Sequence, residues 1–303
     1  MRALVLGGNG FIGSHLTDAL LAAGHKVRVF DRGPELYRAP LRNVDYRFAD
    51  FGDFSALAEA LQDIDIIYHL ISTTVPSTSN LDPVGDIQGN LVNTVKLLQL
   101  MVSKNIVRIV YLSSGGTVYG VPDVSPIPET HALNPICSYG VTKVAIENYL
   151  YMYQSLHQIK PAILRPSNPY GERQGHAGVQ GIVGTFLNKT KSGERIEIWG
   201  DGSVIRDFIC VTDLAELGVK VGQSDFCGVL NVGSGSGCSI HDLVDALAVV
   251  TGNEIEPQFL PGRAYDVPEI VLDISKANRE MAWQPRIQLQ AGLRRTWQWL
   301  NTV

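Results

Sequence analysis

Cysteine is scarce in this chain of 303 residues, and its few cysteines are far apart. Cys137, Cys210, Cys227 and Cys238 lack the spacing of a metal-binding knuckle or of a redox pair. Long apolar runs are also missing, because no window approaches the roughly 18 apolar residues that a membrane-spanning helix needs. We therefore expect reduced thiols, no metal site and no association with a membrane.

Positive charge is in short supply as well. The sequence has 25 Lys and Arg against 30 Asp and Glu, which gives a net charge of -5 and a pI near 5.8. No basic run could follow a phosphate backbone, so we expect no nucleic-acid partner. The first predicted strand begins at Arg2 with no charged leader before an apolar stretch, and we expect no signal peptide and a cytoplasmic location.

The chain is long enough for a large core, and strand-like and helix-like patterns alternate along it. Its 45% apolar composition allows a large core in about two domains. Strand-like and helix-like patterns alternate over the first two thirds, which predicts an α/β fold with a Rossmann-type doubly wound parallel sheet. After Arg165, prolines and glycines break the alternation, and we expect a smaller mixed C-terminal substrate lobe there. We place the domains at 1–165 and mainly 166–303, with the chain recrossing near 205–235.

The sequence pattern predicts the following secondary-structure elements. Strands are predicted at 2–6, 26–30, 44–48, 65–70, 107–113 and 161–165, helices at 12–23, 53–61, 84–103 and 139–157, a buried strand at 230–232 and a strand-to-helix unit at 207–221.

Glycines at positions 7, 10 and 13 directly follow the first strand. Gly7 allows a tight turn, Gly10 lets the backbone approach a pyrophosphate, and Gly13 lets the next helix pack closely. Asp31 ends the second strand at the distance where an acid meets the adenosine ribose, which favours NAD over NADP. Arg32 beside it weakens that preference, and a glycine-rich turn without a ligand is the alternative.

A second pattern carries chemistry. Tyr139 and Lys143 are spaced by four residues, which puts both side chains on one face of a helix. A neighbouring ammonium favours a phenolate and lets tyrosine act as a base. An ordinary pair on a helix surface is the alternative, but the serine-rich strand end at 113–114 and the glycine loop favour catalysis.

With these motifs the chain resembles an extended short-chain dehydrogenase/reductase, and within that superfamily the UDP-galactose 4-epimerase group. The likeness covers almost the whole chain. It implies a set of cofactor-binding residues and a set of residues that bind a UDP-sugar. The first set is Gly7, Gly10, Phe11, Ile12, Gly13, Asp31, Arg32, Asp50, Phe51, Leu70, Ser72, Asn90, Tyr139, Lys143 and Pro166. The second set is Asn168, Glu197, Trp199, Arg206, Arg263, Asp266 and Ile270.

The resemblance also implies a mechanism. Tyr139 would remove the proton of the sugar 4-hydroxyl while the 4-hydride passes to NAD⁺, and the flat 4-keto sugar would turn before hydride and proton return. Two alternatives stay open. One is an NAD(P)H-dependent reductase of 4-keto nucleotide sugars, and the other is a non-catalytic relative that binds NAD.

The chain departs from the group's pattern at one position. Most of these epimerases have serine where this chain has Gly115, and that hydroxyl bridges the sugar oxygen and the tyrosine. Thr117 is the best substitute donor and Ser114 the second. The position of Ile270 corresponds to a wall of the sugar pocket, where a tyrosine would exclude an N-acetyl group, so we expect both plain and N-acetylated sugars to be accepted. An ordinary buried strand residue is the alternative for Ile270.

Two predicted helices have spare apolar faces. They are the helices at 84–103, with apolar residues at 91, 95, 98 and 102, and at 139–157. We expect a homodimer that pairs through them.

Overall fold

The computed structural model describes residues 1–174, 181–262 and 267–302. Its described residues form two compact units. Unit 1 comprises Met1–Val118, Pro135–Arg165 and Ala215–Leu230. Unit 2 comprises Tyr119–Asn134, Pro166–Leu214 and the part of the chain that follows Leu230.

The strands are mostly short, and those of the first 165 residues lie close to their predicted positions. They are β1 Arg2–Leu6, β2 Lys26–Asp31, β3 Val44–Phe48, β4 Ile66–His69, β5 Arg108–Leu112, β6 Lys160–Pro166, β7 Asn168–Tyr170, β8 Glu197–Trp199, β9 Ile205–Cys210, β10 Gly228–Val232, β11 Gly237–Ser239, β12 Gln258–Leu260 and β13 Glu269–Ile270.

Helices alternate with the strands in unit 1 and also occur in unit 2. They are α1 Phe11–Ala22, α2 Phe54–Ala60, α3 Pro83–Asp86, α4 Asn93–Ser103, α5 Ser138–His157, α6 Ile182–Ser192, α7 Val211–Gln223, α8 Ile240–Thr251, α9 Ser275–Met281 and α10 Leu289–Leu300.

A seven-stranded sheet with the order β10-β6-β5-β4-β1-β2-β3 forms the centre of the fold. The pairings that join β1 to β6 are all parallel, and the strand order reverses at β1 as in a doubly wound fold. This confirms the predicted fold class and the strands of the first 165 residues. The apolar residues of β1 and β4 are buried in one core, which includes Leu4, Leu6 and Ile67. The carboxyl ends of β1, β2, β4 and β5 therefore present their loops at one edge of the sheet.

The helix predicted at 84–103 is present as an unbroken helical segment, but its middle is π-helical and not α-helical. The segment consists of α3, a π-helical stretch Ile87–Val92 and α4. The side-chain amide of Asn90 donates to the backbone carbonyl of Asp86 at 3.1 Å. That carbonyl would accept the backbone N–H of Asn90 in a regular α-helix, so the side chain competes with the ladder and the turn widens.

Unit 2 is mixed in its strand directions, as predicted. In one sheet β9 pairs with β11 antiparallel and with β13 and β7 parallel, and β12 pairs with β8 in a second, parallel sheet. Its core packs Phe186, Leu187, Phe208, Leu243 and Leu293. The strand at 230–232 and the strand-to-helix unit at 207–221 are confirmed as parts of β10, β9 and α7.

Three features are absent from the described ranges. No described helix combines the length and apolarity needed to cross a membrane. Within the same ranges, no three His, Cys, Asp or Glu side chains are grouped so that they could hold a metal ion. The four cysteines, all of them in described parts of the chain, form no disulfide.

Candidate functional site

The loop between β1 and α1 is built from glycines that side chains could not replace. Gly7 has a φ of +83°, which lies in the left-handed region that glycine adopts without strain. A Cβ on Gly13 would lie 2.0 Å from the carbonyl oxygen of Gly7. No side chain caps α1 at Gly10, so the first N–H groups of the helix can bind an anion. Phe11 and Ile12 form the first turn.

The carboxylate of Asp31 lies beside this loop at the end of β2. Its Oδ2 accepts a hydrogen bond from the N–H of Asn9 at 2.9 Å, and its Oδ1 accepts one from the N–H of Arg32 at 2.8 Å. A carboxylate has about four lone-pair sites, so capacity remains for two ribose hydroxyls. The Arg32 side chain is exposed. The glycine loop and Asp31 together fit a dinucleotide.

Other residues predicted to bind the cofactor differ in their surroundings. The Phe51 side chain is buried in the core of unit 1, with its ring 5.1 Å from that of His69. Asp50 Oδ1 accepts the N–H of Gly52 at 2.8 Å. Leu70 follows β4 and is partly buried, whereas Pro166 is the buried last residue of β6.

Asn90 makes its hydrogen bonds within the protein. Its Oδ1 accepts the N–H of Thr73 at 2.8 Å, and its Nδ2 donates to Thr73 Oγ1 at 2.9 Å and to Asp86 Oδ1 at 2.8 Å. The amide therefore fixes the segment that follows β4. A cofactor contact by this side chain would have to compete with these bonds.

Tyr139 and Lys143 lie one turn apart on α5, as their spacing predicts. The Lys143 ammonium is 5.4 Å from the centre of the Tyr139 ring and 4.9 Å from that of Tyr111. It donates to the carbonyl oxygen of Leu112 at 2.9 Å. Lys143 is 5% exposed, so its charge acts on these rings with little screening by solvent.

Burial changes the pKa values of Lys143 and Tyr139. It lowers the pKa of Lys143 to about 8, against the opposing effect of the carboxylates of Glu147 and Asp86. Burial also raises the pKa of Tyr139 above its ordinary value, and electrostatic interactions with Cys137 and Asp86 raise it further. A base at this position therefore needs hydrogen bonds and a cation to favour its phenolate.

Side-chain hydrogen bonding with Ser72 and Ser114 lowers the pKa of Tyr139, in opposition to its burial. The Thr117 hydroxyl is buried and has no hydrogen-bond partner in the part of the chain that the structure describes. This favours Ser114, the second of the two substitutes predicted from the sequence, over Thr117 as the donor in place of the missing serine hydroxyl. The Thr117 hydroxyl keeps its capacity for another partner.

A buried ion pair that the sequence reasoning missed lies one turn beyond Lys143. Arg165 donates to Glu147 Oε1 through Nε at 3.0 Å and to Oε2 through a terminal nitrogen, and Ser113 Oγ donates to Oε1 at 2.5 Å. All three side chains are buried. The sequence signal was an acid four residues after Lys143 together with an arginine at the end of a predicted strand.

In unit 2 the residues of β8 are accessible. Trp199 is 44% exposed, which differs from the usual interior position of tryptophan. Glu197 forms an ion pair with Lys189 at 3.0 Å. Arg263 and Asp266, also predicted to bind substrate, lie outside the described residues.

Three other predicted substrate residues lie on neighbouring strands of unit 2. Asn168 Nδ2 donates to the carbonyl of Asp207 at 2.9 Å. Arg206 donates to the carbonyl of Val267 at 2.8 Å, and its Cα partner in β13 is Ile270. Ile270 is only 2% exposed, as expected of a packed strand residue.

The chain is similar to a known protein family over most of its length and to single proteins over nearly all of it. The sequence profile of the NAD dependent epimerase/dehydratase family matches residues 3–233. A UDP-glucose 4-epimerase of Mycolicibacterium smegmatis is 35% identical over 305 residues, covering 98% of this chain and 97% of the relative. The Thermus thermophilus UDP-glucose 4-epimerase, solved as a complex with NAD, superposes with a TM-score of 0.93 at 31% identity over 99% of both chains.

A third similar protein is named for an N-acetylated sugar. The UDP-N-acetylglucosamine 4-epimerase of Methanobrevibacter ruminantium, solved with UDP-N-acetylmuramic acid, superposes with a TM-score of 0.94 at 28% identity. The match covers 99% of this chain and 98% of that one.

Proposed function

Because the chain belongs to the NAD dependent epimerase/dehydratase family, we propose that it uses NAD to interconvert UDP-sugars that differ in configuration at C4. The observation that carries the proposal is the position of Tyr139, whose ring centre lies 5.4 Å from the buried ammonium of Lys143 on the same face of α5. Hydrogen bonding with Ser72 and Ser114 lowers the pKa of this tyrosine. These groups lie in the same unit as the glycine loop and Asp31.

Tyr139 is the acid and base of the proposed reaction. It takes the proton of the sugar 4-hydroxyl and later returns a proton to the oxygen of the 4-keto sugar. Bound NAD supplies the acceptor and donor of the hydride at C4, with no net oxidation over a cycle. Lys143 stabilises the phenolate by its charge, and Ser72 and Ser114 stabilise it by hydrogen bonds.

We assign the nucleotide part of the substrate to unit 2. The exposed face of Trp199 suits stacking with uracil, and the planar guanidinium of Arg206 suits the diphosphate. Asn168, Glu197, Arg263 and Asp266 join this set by resemblance. Since isoleucine at position 270 is smaller than tyrosine, we propose that N-acetylated and plain hexoses are both substrates.

We further propose that two copies pair through the helices of unit 1. Exposed apolar side chains lie on α3 and α5, including Val84 at 63% exposure and Leu156 at 67%, and these helices pack against each other. Light scattering should give twice the mass of 33.1 kDa, and Leu156→Glu should shift it towards the monomer. A cytoplasmic location is proposed from the four unpaired cysteines, which suit a reducing compartment, and cell fractionation tests it.

The function is tested with the purified protein and no added NAD. We expect it to retain NAD and to convert UDP-glucose and UDP-galactose into the same mixture from either side. Tyr139→Phe should retain NAD but lose roughly a hundredfold or more in turnover. Stoichiometric consumption of NADH with a 4-keto sugar would instead indicate a reductase, and bound NAD without turnover would indicate a non-catalytic relative.

A further inference from the structure

The strongest unassigned feature is a buried carboxylate near the catalytic helix. We infer that Asp86 is a positioning residue for Tyr139 and Lys143, because its carboxylate gathers the hydroxyls of the first turn of α5 and places a negative charge near the ammonium. This inference rests on the proposed function and deepens it.

Asp86 is the last residue of α3 and is 1% exposed. Its Oδ2 accepts hydrogen bonds from Ser138 Oγ at 2.7 Å and Thr142 Oγ1 at 2.9 Å. Its Oδ1 accepts hydrogen bonds from Thr74 Oγ1 at 2.6 Å and Asn90 Nδ2 at 2.8 Å. These bonds use the carboxylate's roughly four acceptor sites. We call these five residues the Asp86 cluster.

The cluster controls the rotation of α5. Ser138 and Thr142 are one turn apart, and each directly precedes Tyr139 or Lys143 in the sequence. Two hydroxyls bound to one oxygen fix the helix both along and around its axis. A misplacement of about 1 Å at a catalytic group can cost roughly a hundredfold in rate, so this fixation has a measurable consequence.

The segment between β4 and α3 adds a second fixation. Asn80 Oδ1 accepts the N–H of Ser138 at 2.8 Å, and Ser79 Oγ accepts the N–H of Tyr139 at 3.0 Å. Both N–H groups belong to the first turn of a helix, where no backbone partner exists. This segment therefore caps the backbone N–H groups at the start of α5, while Asp86 at the end of α3 holds the side chains of the same turn.

The charge of Asp86 acts in the same place. The groups that surround Lys143 are Tyr139 and Glu147 on α5, His69 on β4, Tyr111 on β5 and Asp86. Burial lowers the pKa of His69 to about 3 and raises that of Tyr111, so both rings are neutral near pH 7. The nearby negative charges are then the two carboxylates.

The two carboxylates differ in their partners. Glu147 is bonded to the guanidinium of Arg165, whereas the bonds described above to Asp86 come from neutral hydroxyls and an amide. The charge of Asp86 is therefore less offset by a cation. Its removal should make the charged form of Lys143 less favourable.

The first experiment measures the pKa of Lys143 in the protein freed of NAD, by competitive labelling with acetic anhydride and mass spectrometry. Asp86→Asn keeps the size and an acceptor oxygen but removes the charge, and the pKa of Lys143 should fall by about 0.5 to 1 unit. Asp82→Asn is the matched control, because Asp82 is an exposed acid that caps α3 through the N–H of Gly85. It should leave the pKa of Lys143 unchanged.

The direction of the pKa shift of Lys143 distinguishes loss of the Asp86 charge from local unfolding. Local unfolding would expose Lys143 and raise its pKa towards the ordinary value of about 10.4. A pKa that rises or stays constant in Asp86→Asn overturns the inference. The measurement needs no turnover, so its result is independent of the proposed function.

The second experiment keeps the charge and removes single hydroxyls. Thr142→Val and Ser138→Ala should each lower kcat for UDP-glucose by about tenfold, with KM within about threefold, since they loosen the base and not the substrate. These variants test the inference even if Asp86→Asn does not fold. Wild-type kcat in both would overturn the positioning role, whereas inactivity of the wild type would count against the proposed function alone.

Discussion

We expect the hydroxyls of Ser114 and Thr117 to have different roles in the site. Hydrogen bonding with Ser114 lowers the pKa of Tyr139, whereas the Thr117 hydroxyl has no hydrogen-bond partner among the described residues. Ser114 should therefore tune the base, while Thr117 is available to a substrate oxygen. We predict that Ser114→Ala shifts the pH dependence of turnover and that Thr117→Val does not.

The magnitude follows from the charge of the phenolate. A hydrogen bond to a charged group is worth about 1.5 to 3 kcal/mol, and one pKa unit corresponds to about 1.4 kcal/mol. Loss of the Ser114 bond should raise the pKa of Tyr139 by about one to two units, in the direction opposite to the lowering that this bond causes. Because the base must be deprotonated, the acid limb of the kcat profile should move to higher pH by the same amount. Turnover on that limb should fall about tenfold to a hundredfold.

The assay is the initial rate of epimerisation over a range of pH, with NAD content checked for each variant. Thr117→Val keeps the shape of threonine and serves as the control: its acid limb should match that of the wild type, even if kcat falls by about tenfold through a lost substrate bond. An unmoved limb in Ser114→Ala, or an equal shift in Thr117→Val, would refute the assignment.

Three further changes probe the cofactor and the sugar. Lys143→Ala should weaken the retention of NAD on gel filtration and move the acid limb to higher pH, because it removes the charge that favours the phenolate; an unchanged limb would separate Lys143 from the base. Asp31→Ala should relax the preference against NADP in direct binding measurements, since the carboxylate no longer repels a 2′-phosphate, and equally weak NADP binding would leave the choice to Arg32 or the loop. Ile270→Tyr should abolish turnover of the N-acetylated pair while plain hexoses stay within about tenfold, or about 1.4 kcal/mol, whereas equal loss on both pairs would mean that Ile270 acts by packing, in keeping with its 2% exposure.

The fold of unit 1 could be predicted from local patterns because its strands are short apolar runs separated by amphipathic helices. The sheet order places β1 at the reversal point, where the glycine loop begins. The π-helical stretch could not be predicted in this way. It depends on the Asn90 side chain binding the carbonyl of Asp86, and the low helix propensity of both residues does not distinguish a π-helical turn from an α-helical one.

Part of the site could likewise be predicted from local sequence patterns, and part of it could not. Tyr139 and Lys143 follow from spacing alone, since residues four apart share a helix face. The Asp86 cluster joins residues more than fifty positions apart, and Ser138 and Thr142 look like ordinary helix residues until the fold brings them to one carboxylate. Ser72 likewise reaches the tyrosine hydroxyl only through the path of the loop after β4.

The central claim is that C4 of the sugar is oxidised transiently and receives the same hydride back. The most direct test follows deuterium in UDP-glucose labelled at C4, in ordinary water and without added cofactor. We predict UDP-galactose that keeps its deuterium at C4, with no accumulation of NADH. Product whose C4 carries hydrogen from the solvent would contradict the account, because it would require proton abstraction from carbon in place of hydride transfer.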